Sequence, residues 1–501
     1  MLLASGWLVA LCALAPVAFL LLEASRTGWS AVGAIVFRRL TLTLLMNTAE
    51  MVLLTTAAAV VLGVGAAWLL ERTDVPLRRV FFVALLLPAA IPDFIETFGW
   101  MNVWPWLRGL WGAVFVLSLA VYPFVMLPVI ASLRRLDHRR EEVARSLGTS
   151  QWGVFFRVTL PELRVAIAGG CLLVALQLLA EYGSFQMLGF QTFTTEIFTS
   201  FQVGFDVASA SALSLILVVI SALLVRFETS VGAREQSLLT SEITRPSRIE
   251  LGRGRFLAFA LLTALAVGAL GVPVSSIASL LLAPGPATLP PASLWSAIGH
   301  TVTYAACAAV LSVLGATVVA LASHRARSWL AKAPSAMALV PLAIPGVVVA
   351  LAVTYAAENY FAGRWYQTGP LLIATYAVMF LPLALVGIRS SLSQVPSSLT
   401  EVAATLGATK FVQFGRVIFP LILPGLGVGF ALVFLTTLTE LTATLVLIPT
   451  GAQTLATQFW AYQVNLANGQ AAPYAAAMIV LAAVPLALLT GVGLRQAKGQ
   501  R

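Results

Sequence analysis

The chain has 501 residues, of which 59% are hydrophobic and 10% charged, with a mean hydropathy of +0.94. A soluble domain carries roughly a quarter charged residues, so a soluble protein with a large core is excluded. The formal net charge of +10 and pI of about 10.0 would suit a nucleic-acid partner, or a membrane protein whose loops are held on one side by their charge.

Apolar runs of about 20 residues, each enough to cross a hydrocarbon core of about 30 Å, recur along the whole sequence. The first, "MLLASGWLVALCALAPVAFLLLEA", lacks a positive leading region and is long for a signal peptide, so it is expected to stay as a transmembrane helix. Five more follow at 49–70, 79–100, 109–133, 163–182 and 206–226 after the first at 3–22. A polar stretch at 228–254, rich in Arg, Ser and Thr, reads as a cytoplasmic linker. A second set of six follows at 256–281, 299–322, 334–357, 369–388, 421–441 and 472–494. The short alternating segments of a membrane β-barrel are missing. Cys12, Cys171 and Cys307 all fall inside apolar runs and are expected to be small buried hydrophobes.

If the loop at 141–161 is placed in the cytoplasm, the alternation of helices fixes every other loop. Then 25 of the 30 Lys and Arg lie on the cytoplasmic side, with Arg26, Arg38, Arg39, Arg108 and Arg364 opposite. This asymmetry puts both termini in the cytoplasm and accounts for the basic charge without nucleic acid.

The two sets of six match each other. Asn47-Thr48 aligns with His300-Thr301, Pro88 with Pro341 and Pro92 with Pro345, each at an offset of 253. From Pro123 and Pro382 onward the offset is 259, and nine of twenty positions are identical between 142–161 and 401–420. The fold class is therefore an all-α polytopic membrane protein of about 12 transmembrane helices, built as two parallel six-helix repeats that form a pseudo-dimer. The halves are 1–227 and 255–501.

The segments 138–161 and 397–420 are charged interruptions in an apolar chain. Ser398 and Glu401 have capping-box spacing, which predicts a helix start there, and the first copy starts near Asp137. Gly148 and Gly407 each predict a turn between two short helices. Trp152 with Phe155, and Phe411 with Phe414, would place aromatics on the outside of such a knob, where a partner would have to cover them. The alternative for Trp152 and Phe411 is anchoring at the headgroup level, and for Glu142 and Glu401 it is favouring a helix N-terminus.

The pattern Glu142, Ala144, Gly148, Pro161, repeated as Glu401, Ala403, Gly407, Pro420, resembles the EAA loop of permease subunits of binding-protein-dependent ABC importers. Val143 and Val402 depart from the family's triplet. The resemblance implies that the two loops are coupling helices docking into two copies of a cytoplasmic ATPase, which uses ATP and Mg. The chain has no Gly-Lys dipeptide and hence no phosphate-binding loop of the Walker type. It is thus expected to bind no cofactor and to be a translocation subunit, not an enzyme. The resemblance also implies a periplasmic or lipid-anchored binding protein and a place in the bacterial inner membrane.

Ionisable residues inside a membrane mark pathways by default. Glu181 and Glu440 end equivalent helices, with Tyr182, Ser184, Thr442 and Thr444 beside them, and Asp93 and Glu96 add carboxylates in the third helix of the first half. Oxygen ligands suit a hard cation, so Glu181 and Glu440 are candidate transient metal contacts; the alternative is that both only cap helix ends. The fused layout with "AEYGSF" and "TELTATLVLIPTGAQTLATQFW" is most similar to ferric-iron importer permeases, while thiamine, phosphonate, polyamine, sulfate and molybdate permeases are also related. His138, His300 and His324 have no metal-ligand spacing.

Overall fold

The computed structural model describes residues 2–136, 138–232, 249–283, 291–324, 328–360 and 363–499. Most of the expected linker, 233–248, lies outside the described residues, as does Asp137. Among the described residues the structure is helical, without strands; the one β-bridge joins Thr73 and Ile249. A backbone in hydrocarbon must satisfy its own polar groups, and an all-helical chain does so within each segment. Among the described residues eight helices are long and apolar enough to cross a membrane, and four further pairs are bent at a short break, which gives up to 12 spans if each pair counts as one.

Two of these breaks sit in the third span of each half. Leu87–Ala90 and Val340–Ala343 tighten into 3₁₀ turns, and Ile91 and Ile344 are extended ahead of Pro92 and Pro345. A residue before proline is pushed out of the α region, and proline offers no N–H to continue the ladder. The spans turn by 102° between Arg78–Ala90 and Asp93–Val103, and by 107° between Trp329–Ala343 and Gly346–Tyr360. The paired prolines are therefore the hinges of a broken helix, where the expected spans at 79–100 and 334–357 are continuous.

The chain forms two compact units, neither of which is an uninterrupted half of the sequence. One comprises 1–33, 200–215 and 280–501; the other comprises 34–199 and 216–279. The opening helix Leu2–Thr27 thus belongs with the second-half helices. Its Phe19 lies 5.6 Å from Tyr360 and its Arg26 donates to the Tyr355 hydroxyl at 2.9 Å. In the other unit, helix Gly254–Leu282 takes the same role against Asp93–Val103. Trp100 Nε1 donates to the Gly268 carbonyl at 3.1 Å and Asn102 to Ser276 at 3.0 Å. At Gly99 an added Cβ would stand 2.6 Å from the Pro273 Cα, so the two helices touch backbone to backbone. Small residues at such crossings let membrane helices approach closely.

Cys12 and Cys307 are exposed and Cys171 is half-buried. This corrects the expectation that all three are buried: they share outward apolar faces, which in a membrane protein meet lipid.

Candidate functional site

The two charged loops have one architecture. In the first, helix His138–Ser146 ends at Gly148. Gly148 sits at φ +82°, and the N–H groups of Gly148 and Thr149 return to the carbonyls of Arg145 and Ala144 at 2.9 and 3.1 Å. In the second, Ser397–Thr405 ends at Gly407 (φ +78°), whose N–H and that of Ala408 return to Ala404 and Ala403, both at 3.0 Å. Left-handed backbone of this kind is where glycine has no side-chain penalty. A second short helix follows each turn, and each widens into a π turn, Phe155–Thr159 and Phe414–Ile418, at the same offset of 259.

The expected capping box is not formed. Helix Ser397–Thr405 follows Pro396 with no side-chain cap, and Glu401 is exposed one turn in. The aromatic pairs divide as well. Trp152 is 65% and Phe411 86% exposed, whereas Phe155 and Phe414 are half-buried, Phe155 against Trp68 and Phe414 against Phe419. The apolar surface of each knob is instead completed by four aliphatic residues that the motif itself does not assign to docking. Val143 and Leu147 in the first, and Val402 and Leu406 in the second, are all exposed at equivalent positions. Their signal was available: valine and leucine flanking the motif alanines, one turn apart, in a short polar helix.

Glu142 is exposed, and its neighbour Glu141 is buried. Arg72 Nη2 donates to Glu141 Oε1 at 2.9 Å, and the Thr159 hydroxyl donates to the same oxygen at 2.8 Å. Arg72 ends helix Arg39–Arg72, and Trp68, one turn earlier on that helix, stacks on Trp152 at 5.9 Å. A transmembrane helix therefore grips the knob through both a salt bridge and a ring stack. In the second copy the positions of Glu141 and Thr159 are Thr400 and Ile418, which rules out the same clamp.

The carboxylates lie deeper in each unit. Glu181 follows helix Arg164–Ala180, and its Oε1 accepts from the Ser184 N–H at 2.6 Å. Glu440 follows Phe419–Thr439 and accepts from the Ala443 N–H at 2.9 Å. Each therefore caps the short helix after it, Gly183–Leu188 or Thr442–Leu447. Both remain half-buried. Glu440 borders a cleft with a volume of about 10 Å³, shared with Tyr304, Tyr376, Thr437 and Thr444. That is about the space of one water. Thr444 donates to the Glu440 carbonyl at 2.6 Å and lies 2.5 Å from the Tyr376 hydroxyl.

Asp93 and Glu96 open the second segment of the broken helix and are buried. Gln177 donates to Asp93 Oδ2 at 3.0 Å, while neither oxygen of Glu96 has a hydrogen-bond partner among the described residues. Ser184 is fully buried, Thr442 nearly so, and Tyr182 turns its ring onto Phe198 at 4.4 Å. Among the described residues no group of three or more His, Cys, Asp or Glu is arranged to hold a metal ion.

Residues 59–235 and 317–496 both match the family described as binding-protein-dependent transport system inner membrane component. The chain belongs to this family. The permease is similar to the Fe(3+)-transport system permease protein FbpB 2 of Haemophilus influenzae, at 32% identity over 481 residues, covering 95% of the chain and 94% of the relative. It is also similar to the ferric transport system permease protein FbpB of Actinobacillus pleuropneumoniae, at 25% identity over 390 residues, covering 72% of the chain and 55% of the relative. The sulfate transport system permease protein CysW of Synechocystis matches at 32% identity over 155 residues, covering 28% of the chain and 56% of the relative. The family match falls once on each repeat and takes in both knobs. The permease is thus a multi-pass translocation subunit of an ABC importer, with the two permease halves fused in one chain.

Proposed function

We propose that this permease carries ferric iron, handed over by an external binding protein, and that a separate ATPase drives it. The observation that carries the coupling half of this reading is the pair of knobs. Two turns of the same geometry each expose the same apolar set (Val143, Leu147 and Trp152; Val402, Leu406 and Phe411). Large apolar groups outside a membrane need a covering partner, and two equivalent knobs suit two copies of one ATPase, which would bind the ATP and Mg. Glu142, Ala144 and Gly148, with Glu401, Ala403 and Gly407, shape and flank the contact surface, while Phe155 holds the first knob to Trp68 and Phe414 packs on Phe419 of the helix that follows. Both termini lie in the cytoplasm on this reading, supported by the distribution of Lys and Arg.

Iron is supported by a ferric relative that matches 95% of the chain, where the sulfate relative matches 28%. It is also supported by carboxylates at Glu181, Glu440, Asp93 and Glu96, since hard cations take oxygen ligands. Closing of the ATPases would draw on the knobs and switch the permease between outward and inward access. Glu181 and Glu440 then act as passing contacts, with the binding protein supplying affinity.

The experiment is ATPase stimulation of the reconstituted complex by loaded binding proteins. Stimulation by a ferric-loaded protein is expected; stimulation by a sulfate- or thiamine-loaded protein alone would overturn the substrate. A second measurement separates capping from transport. Glutamine keeps an acceptor oxygen for the Ser184 and Ala443 N–H groups but removes the charge. Glu181→Gln with Glu440→Gln should assemble normally and lose most iron transport, whereas full transport would leave the two residues as caps only.

A further inference from the structure

The unit formed mainly by the second half holds a cavity of about 610 Å³ between the ends of helices Pro291–Ser323, Trp329–Met337 and Leu381–Ser393. Pockets of this size accept small molecules. The polar wall consists of Ser323, His324, Lys332, Ser335, Arg389 and Ser393, and among the described residues no Asp or Glu lines it. Ser335 is 5% exposed, and the hydroxyl oxygens of Ser323 and Ser335 are buried without a hydrogen-bond partner among the described residues. A buried hydroxyl left unpaired is destabilising, so these two groups hold unused donors at the wall of the cavity.

The other repeat shows the same corner closed. By the offsets of 253 and 259, His324, Ser335 and Ser393 correspond to Glu71, Phe82 and Arg134. There Arg134 donates to Glu71 from both Nε and Nη2, at 3.0 and 2.5 Å, and its guanidinium lies 5.9 Å from the centre of the Phe82 ring. In the second repeat the carboxylate has become a histidine, and the phenylalanine and the arginine have become serines. Arg389 meanwhile stands where the first repeat has Ile130. The filler and the negative charge have both gone, while two cations are kept: Arg389 takes over from the lost arginine, and Lys332 stands where the first repeat has Arg79.

We propose that this cavity is an anion site for a phosphate group. Lys332 and Arg389 supply charge, and the Ser323 and Ser335 hydroxyls donate to phosphate oxygens. Guanidinium and ammonium groups with neutral donors are the usual phosphate set. A basic pocket among membrane helices near their ends suits the phosphodiester of an anionic lipid, and the same donors suit a soluble phosphate. The site does not depend on the identity of the transported solute.

The test uses the full-length permease in phosphatidylcholine nanodiscs, with and without phosphatidylglycerol. In the lipid arm, native mass spectrometry counts retained phosphatidylglycerol. In the phosphate arm, inorganic phosphate is titrated into phosphatidylcholine nanodiscs, and protection of Lys332 from an amine-acylating reagent is read by peptide mapping. Retention of one extra lipid by wild type over Lys332→Gln with Arg389→Gln assigns the lipid. Protection of Lys332 by phosphate, weakened roughly tenfold or more in Arg389→Gln, assigns the soluble anion. Arg364→Gln, outside the cavity, controls for loss of charge. The triple change His324→Glu, Ser335→Phe, Ser393→Arg rebuilds the closed corner and should abolish either signal. Equal lipid counts together with no protection overturn the proposal, as does a signal that survives the triple change.

Discussion

Glu141→Gln tests the clamp between the first knob and the membrane helix behind it. Glutamine keeps the shape and can still accept from Thr159, but it removes the charge facing Arg72, whose side chain is 3% exposed while that of Glu141 is 11% exposed. Removing one partner of a buried pair costs up to about 3–5 kcal/mol, an upper figure here because Glu71 and Glu162 still act favourably on Arg72. At 1.36 kcal/mol per factor of ten, local opening of helix His138–Ser146 should rise by about two to nearly four orders of magnitude. The nearby pair Arg140–Glu162, at 2.9 Å, serves as a control: its arginine side chain is 70% exposed, and exposed pairs are worth about 0–1 kcal/mol. Amide hydrogen exchange of the peptide spanning 138–146 reads local opening directly. Glu141→Gln should exchange far faster than wild type, Arg140→Gln nearly as wild type, and the double change Arg72→Met with Glu141→Leu should regain much of the protection. Equal exchange in Glu141→Gln and Arg140→Gln, or a double variant no better than the single, would refute the clamp. A complex carrying Glu141→Gln should also transport less solute per ATP hydrolysed by its ATPase subunits.

Gly148→Val and Gly407→Val each force a β-branched residue into left-handed backbone, at about 1–3 kcal/mol; co-purification of the ATPase should fall in each and fail in the pair, whereas Gly415→Val, at a glycine with open space and ordinary φ, should retain it. Gly99→Leu meets the Pro273 backbone and should lower the yield of folded permease in detergent size-exclusion, while Gly65→Leu, with nothing nearby, should not. Trp152→Ala removes the stack on Trp68 as well as an exposed docking group, so affinity for the ATPase should drop more than in Phe156→Ala, whose ring shares the exposed face but does not stack on Trp68.

Composition and hydropathy were enough for the class and the number of spans, because a backbone in hydrocarbon has few options and each span needs its own 20 or so apolar residues; residues recurring at fixed offsets gave the internal repeat. The motif glycines were equally legible, since a positive φ is a local demand that the chain meets with one residue type. Packing was not legible. Glu141 and Glu142 are adjacent and chemically identical, and only the position of Arg72, 69 residues earlier, decides which is buried. The prolines at 88 and 92 could have kinked a continuous helix; the 102° break depends on neighbours that accept the freed backbone. Membership of Leu2–Thr27 in the second-half unit is likewise decided by surfaces hundreds of residues apart. The sequence by itself determined that this chain crosses a membrane as two related halves and carries two docking turns. The tertiary structure decided which carboxylates cap, which clamp and which stay unpartnered, because burial and pairing belong to contacts between segments that no local pattern records.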